Sequence, residues 1–178
     1  MKKKLDVLLV SAVVTFLFLS HAVLSQVADV DSIGSRVEVP ESIEILLSNE
    51  PIQFPSLVPG GESNATTGGG FPLMISITEN TNIYTNISIN ATDHFRDGVN
   101  WFEIENLTYS NVSGGGVNKS MKLTYNTTDP FSDWINIPPP TAGNNTTVLS
   151  YFWIRIPWAQ SAGSYSTNIG VKGSKYAG

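Results

Sequence analysis

Cysteine is absent from all 178 residues. That removes disulfides, thiolate nucleophiles and Cys-ligated zinc together. Charge is scarce as well: 14% of the residues are Asp, Glu, Lys or Arg, against about a quarter in an average domain. The 10 basic residues are outnumbered by 15 acidic ones, for a net charge of −5. An acidic chain repels phosphate backbones, so nucleic acid is not an expected partner. Histidine is limited to His21 and His94, and only one long apolar run occurs, from Val7 to Leu19.

That run lies in MKKKLDVLLVSAVVTFLFLSHAVLS, residues 1–25. Lys2, Lys3 and Lys4 give a basic start, and Val23 and Ser25 occupy the two positions that precede a cut. The run falls short of the roughly 20 residues a membrane span needs, and His21 interrupts its end. The segment reads as a secretory signal, cleaved before Gln26. The mature chain would carry 7 basic and 14 acidic residues, would be secreted, and would have no means of staying in a membrane.

Asn-X-Ser/Thr sequons occur at Asn64, Asn86, Asn90, Asn106, Asn111, Asn118, Asn126, Asn144 and Asn145, which is 9 of 15 asparagines. Ser and Thr make up 35 of 178 residues, so chance placement gives about 3 of 15. A threefold excess points to a surface built to carry N-linked sugar. Export, many glycans and no cysteine together suggest a prokaryotic, archaeal cell surface, because eukaryotic secreted domains more often use disulfides.

The rest of the chain alternates with the period of strands, whose successive side chains point to opposite faces. Ile43, Ile45 and Leu47 form one set, with a strand beginning near Val37. Leu73, Ile75 and Ile77 form a second, and Thr85, Ile87, Ile89 and Ala91 a third. In the third, Asn86 and Asn90 fall on the face opposite the isoleucines, which places their sugar outward. Met121, Leu123 and Tyr125 predict another strand, and Tyr165, Thr167, Ile169 and Val171 a last one. The run Val148–Ile156 is apolar on both faces, as in a central strand or one covered by another subunit. Clusters rich in Gly, Pro and Asn separate the runs, and no sustained helical period occurs after residue 25. The expected fold is all-β: a single β-sandwich or jelly-roll-like domain over residues 37–178. Residues 26–36, QVADVDSIGSR, neither alternate strongly nor form turns and read as an N-terminal arm.

Chemistry is thinly represented. His94 with Asp93 and Asp97 invites a Ser/His/Asp reading, but no G-x-S-x-G elbow is present, and a solvated turn histidine accounts for it. Glu103 and Glu105, two apart, read as a charged strand face rather than an acid–nucleophile pair. Asp129 and Asp133 are calcium-type ligands by residue type, yet an acidic turn explains them. No catalytic set, metal or cofactor is expected, and no enzymatic activity. Trp101, Trp134, Trp153 and Trp158 are expected in the core and at subunit contacts.

The order of features resembles a known group. VEVPESIEILLSN is followed by PIQFPSLVPGGES, then FPLMISITENTNIYTNISINATD, and near the end IPWAQSAGSYSTNIGVKG. Pro59-Gly60, Pro72-Leu73, Asn86 to Ala91, and Ile156-Pro157 with Ala162-Gly163 and Tyr165 carry the likeness, over roughly residues 37–171. The pattern resembles secreted β-sandwich filament subunits of archaea, of the bundling-pilus and thread type, and more distantly biofilm fibre proteins of the TasA/camelysin type. The resemblance implies polymerisation by donor-strand complementation, in which the N-terminal arm of one copy completes the sandwich of the next. The candidate donor residues are Val27, Ala28, Val30 and Ile33, in a register that either takes a bulge or extends to Val37 and Val39. The resulting head-to-tail homopolymer would be an extracellular filament serving adhesion or biofilm cohesion. The alternative is a cell-surface module that binds carbohydrate or an S-layer partner.

Overall fold

Antiparallel pairing accounts for all the sheet structure in the computed structural model, which describes residues 37–67, 72–113 and 117–177. Residues 40–178 form one compact unit. The signal segment 1–25, the arm 26–36 and the donor residues Val27, Ala28, Val30 and Ile33 lie outside the described residues. The strands are β1 (Ile45–Ser48), β2 (Ile52–Gln53), β3 (Glu62–Asn64), β4 (Thr66–Thr67), β5 (Leu73–Ile77) and β6 (Thr85–Ala91). They continue with β7 (Phe95–Asp97), β8 (Asn100–Phe102), β9 (Leu107–Ser110), β10 (Lys119–Ser120), β11 (Thr146–Arg155) and β12 (Ile169–Lys175).

The main sheet runs β1-β5-β11-β9-β10, with β3 added alongside β11. As its two-faced apolar sequence predicts, β11 is the central strand. Residues Thr146–Ser150 pair with β5, and Tyr151–Ile154 with β9 on the opposite edge. β3 continues the β5 edge, Asn64 opposite Trp153, and the Ala65 N–H donates to the Phe152 carbonyl at 2.7 Å. β6 and β12 make the second layer, paired over seven residues from Ile169↔Ala91 to Lys175↔Thr85.

The two layers share one core. Ile75 and Ile77 of β5, Ile87 and Ile89 of β6, and Leu107 of β9 are at most 1% exposed. Each such side chain contributes roughly 1.5–3 kcal/mol on burial. An aromatic group of Tyr109, Phe131 and Trp134 extends the core, with ring centroids 5.0–6.0 Å apart.

Several expectations need correction. The first strand begins at Ile45, not near Val37; Val37 and Val39 are 83% and 74% exposed. Pro40 offers no N–H to a ladder, and residues 40–44 are held by scattered bonds to residues 78–82 instead, among them the Asn82 N–H to the Ser42 carbonyl and the Glu44 N–H to the Thr81 hydroxyl. Asn82 accepts from the Ser42 N–H at 2.8 Å and donates to the Pro40 carbonyl at 2.8 Å. Residues 121–125 are not a strand: Met121 is buried, while Leu123 and Tyr125 are partly exposed. That stretch lies along the free edge of β6, where the Ala91 N–H donates to the Lys122 carbonyl. The last strand starts at Ile169 rather than Tyr165. Glu103 and Glu105 flank Ile104 at a 3-10 turn, Ile104–Asn106, and share no strand face.

The outward orientation expected of Asn90 is also corrected. β6 is covered on both faces, and Asn90 is 9% exposed. Its amide nitrogen donates to the Ala91 and Leu123 carbonyls. Alternation identified the isoleucine face; it could not show that a loop would cover the other one.

Candidate functional site

A groove of about 880 Å³ opens beside β12. Its floor is core: Leu73, Phe95, Phe102, Leu107 and Ile154 are each 6% exposed or less. One wall is the stretch 50–59 and the other is 160–169. Among the described lining residues Glu50 is the one charged side chain. Ile52, Phe54, Leu57, Ile156, Ile169 and Val171 pack against the core yet stay half-exposed, because the groove in front of them is open.

Local sequence explains the walls. Asp97-Gly98 is a hairpin signal, and Gly98 adopts φ +60° between β7 and β8. That hairpin brings Phe95 directly opposite Phe102, with rings stacked at 4.8 Å. Tyr165 leans on Phe102 at 5.2 Å. Its hydroxyl donates to the Ser161 carbonyl at 2.9 Å and accepts from Gln160 at 2.6 Å, fixing the 160–165 loop. The Asp97 carboxylate accepts the Ser164 N–H at 3.3 Å. At the 59–61 turn Gly60 has φ +81°, and the Trp158 ring lies flat upon it. Trp158 is 78% exposed, with neighbouring Val58 at 73%.

The groove's second property is a free backbone edge. β12 pairs with β6 on one side, and its other edge has no strand or backbone partner among the described residues. In an antiparallel pair alternate residues direct N–H and C=O away from the partner, so three or four residues of β12 present backbone groups that nothing among the described residues pairs. An open edge of that length invites an added strand. Gly173 marks where the interior closes again, since a Cβ there would lie 2.7 Å from Ile45.

The residues singled out for chemistry do not converge. Asp93 binds Arg96 at 2.6 Å; that guanidinium, with the His94 N–H, holds its carboxyl below the usual range. Asp97 is occupied by Ser164. The His94 ring nitrogen Nδ1 accepts the Ile104 N–H at 3.1 Å and lies 3.3 Å from Glu103. His94, Glu103 and Glu105 offer ligand atoms within 4.8 Å of one another, a grouping the sequence spacing did not suggest. Because Nδ1 is already taken by a backbone donor, it is a poor ligand as arranged. Asp129 pairs with Lys119 at 2.7 Å and Asp133 accepts from Asn111 at 2.8 Å, each with its own partner.

The sequons fall into two groups. Asn64, Asn118 and Asn145 are exposed, and their side-chain amides make no hydrogen bond among the described residues. The amide nitrogens of Asn90, Asn106, Asn111, Asn126 and Asn144 are engaged, and the Asn86 oxygen accepts the Asn136 N–H. Of the tryptophans, Trp134 is core at 1% exposed, and Trp101 and Trp158 are surface residues. The sequence reading missed most of the groove, Phe54, Leu57, Phe95 and Phe102 included. FRDG followed by NWF was the one signal that would have placed Phe95 against Phe102.

Compared with protein-family models, with curated proteins and with solved structures, the chain matches none.

Proposed function

We propose that this protein is a structural subunit of an extracellular, N-glycosylated filament, polymerised by donor-strand complementation. The observation that carries the reading is the open apolar groove against the unpaired edge of β12. Its occupant is the arm 26–36 of a second copy. Backbone groups of the arm complete the β12 ladder, and Val27, Ala28, Val30 and Ile33 supply apolar side chains to the half-exposed Ile169 and Val171. Eleven extended residues reach about 36 Å, longer than the seven residues of β12 require. Each copy offers a groove at one place and an arm at another, so the contact does not close on itself and propagates as a fibre.

The signal segment and the three exposed, unbonded sequons support export and glycosylation. Adhesion or biofilm cohesion is the role such a fibre would serve. The test is electron microscopy of the mature chain beside a variant lacking residues 26–36. Fibres of uniform width are expected from the first and none from the second, with fibres of arm-bearing chains resisting denaturant. Identical behaviour of the two, or a mature chain that stays monomeric at every concentration, would refute the reading. Binding of free oligosaccharide in the groove by both forms would favour a carbohydrate-binding module instead.

A further inference from the structure

The outer face of β11 carries Leu149, Tyr151 and Trp153, all half-buried, where a solvent-facing strand would normally be polar. Trp153 is flanked across the sheet by two short polar residues, Asn64 on β3 and Thr108 on β9. Neither is large enough to cover an indole. Directly opposed residues on one face have Cβ atoms about 4.5–5.5 Å apart. Asn64 is therefore within one sugar ring of Trp153. It is also a sequon asparagine, exposed, whose side-chain amide makes no hydrogen bond among the described residues.

We propose that the first sugar residues carried on Asn64 lie across the indole of Trp153 and cover the apolar outer stripe toward Tyr151. The ligand is a pyranose covalently attached to this same chain. Its apolar C–H face meets the aromatic ring while its hydroxyls face water. Without the sugar the half-buried stripe keeps part of its apolar surface in water. Register is what singles out Asn64: it is the sequon asparagine paired with a tryptophan. The inference rests on the glycosylation reading above but is independent of donor-strand exchange.

The test uses the mature chain made in a host that glycosylates Asn-X-Ser/Thr sites. Glycopeptide mass spectrometry reads occupancy at Asn64, Asn118 and Asn145. A double-mutant cycle then compares Asn64→Gln, Trp153→Leu and the double variant by thermal unfolding. Sugar at Asn64 is expected to raise Tm by up to about 4 °C, the upper end for a cross-strand packing contact in a chain of this size. Trp153→Leu is expected to abolish most of that gain, and Trp153→Phe to keep part of it. An occupied Asn64 whose gain is the same in all three backgrounds overturns the inference. Sugar at Asn118 and Asn145 but not at Asn64 overturns it alone; no sugar at any of the three overturns the glycosylation reading beneath it.

Discussion

On the donor-strand assembly proposed above, replacing Val171 with Thr separates what the folded subunit needs from what the fibre needs. The side chains are nearly the same shape, so the change adds a hydroxyl and little else. Val171 lines the groove and is half-exposed in the single subunit. There the hydroxyl stays hydrated, and the cost to folding is expected to be under about 0.5 kcal/mol. Once a strand fills the groove, water leaves and the hydroxyl faces apolar side chains. Burying it without a partner costs about 1–3 kcal/mol. The critical concentration for fibre growth should then rise by about 5- to 150-fold, at 1.4 kcal/mol per tenfold. Val148→Thr is the matched control: Val148 is 8% exposed and already in the core. It should lower the subunit's own Tm by several degrees, about 2–4 °C per kcal/mol. Sedimentation of fibres against free subunit, with Tm measured below the critical concentration, reads both quantities. A Val171→Thr chain that polymerises at the wild-type concentration would show that the groove is not where the neighbour binds.

Three other perturbations test contacts that hold the folded subunit together. Gly60→Ala places a Cβ 2.6 Å from the Trp158 ring at a backbone φ of +81°; a loss of roughly 1–3 kcal/mol is expected in chemical denaturation. Asn82→Ala removes the two side-chain hydrogen bonds from Asn82 to residues 40 and 42, leaving its backbone N–H on the Ser42 carbonyl, and should cost about 1–2 kcal/mol, with faster amide exchange at Ser42. Glu44 accepts hydrogen bonds from the Thr78 hydroxyl and, at 2.6 Å, from Asn80, and these hold its carboxyl below the ordinary value of 4.5. A depressed folded value means the contribution is complete above pH 4.5 and fades as pH falls through the folded value. Glu44→Gln should therefore flatten the fall of Tm below pH 4.5, and an unchanged slope would count against it.

The sheets were legible in the sequence where burial is one-sided or complete. Leu73, Ile75 and Ile77 alternate because one face meets the core, and β11 is apolar on both faces because it is central. Reading failed where tertiary context supplied the cover. Asn86, Ser88 and Asn90 look like a solvent face, yet residues 122–125 and 136–137 lie over them; nothing local to β6 announces it. Met121, Leu123 and Tyr125 alternate like a strand while only Met121 is buried, so the period was real and the ladder absent. The groove was the least legible part. Its lining is drawn from short stretches scattered between Leu47 and Val171, and the half-exposed Val171 reads as an ordinary strand residue.

The edges of the two sheets are treated unequally, and this bears most directly on assembly. β10 ends the main sheet with two residues, too short to template a partner. At the other end β1 has four, and the chain turns away at Asn49 with φ +65°. On the second layer β6 is closed on its far side by bonds to Ile137 and Lys122. Short strands, bends and covering loops are the ordinary ways of blunting an edge. Among the described residues β12 has none of them: it runs seven residues with no proline and has an apolar trough beside it. Lys172 and Lys175 are the only charges on the strand, and Lys175 is paired with Glu41. An edge left open by accident would be expected to lack a matching groove, and a groove meant for a small ligand would not need a free backbone ladder. The two together fit an extended polypeptide best, which makes β12, more than any cluster of polar side chains, the place to mutate first.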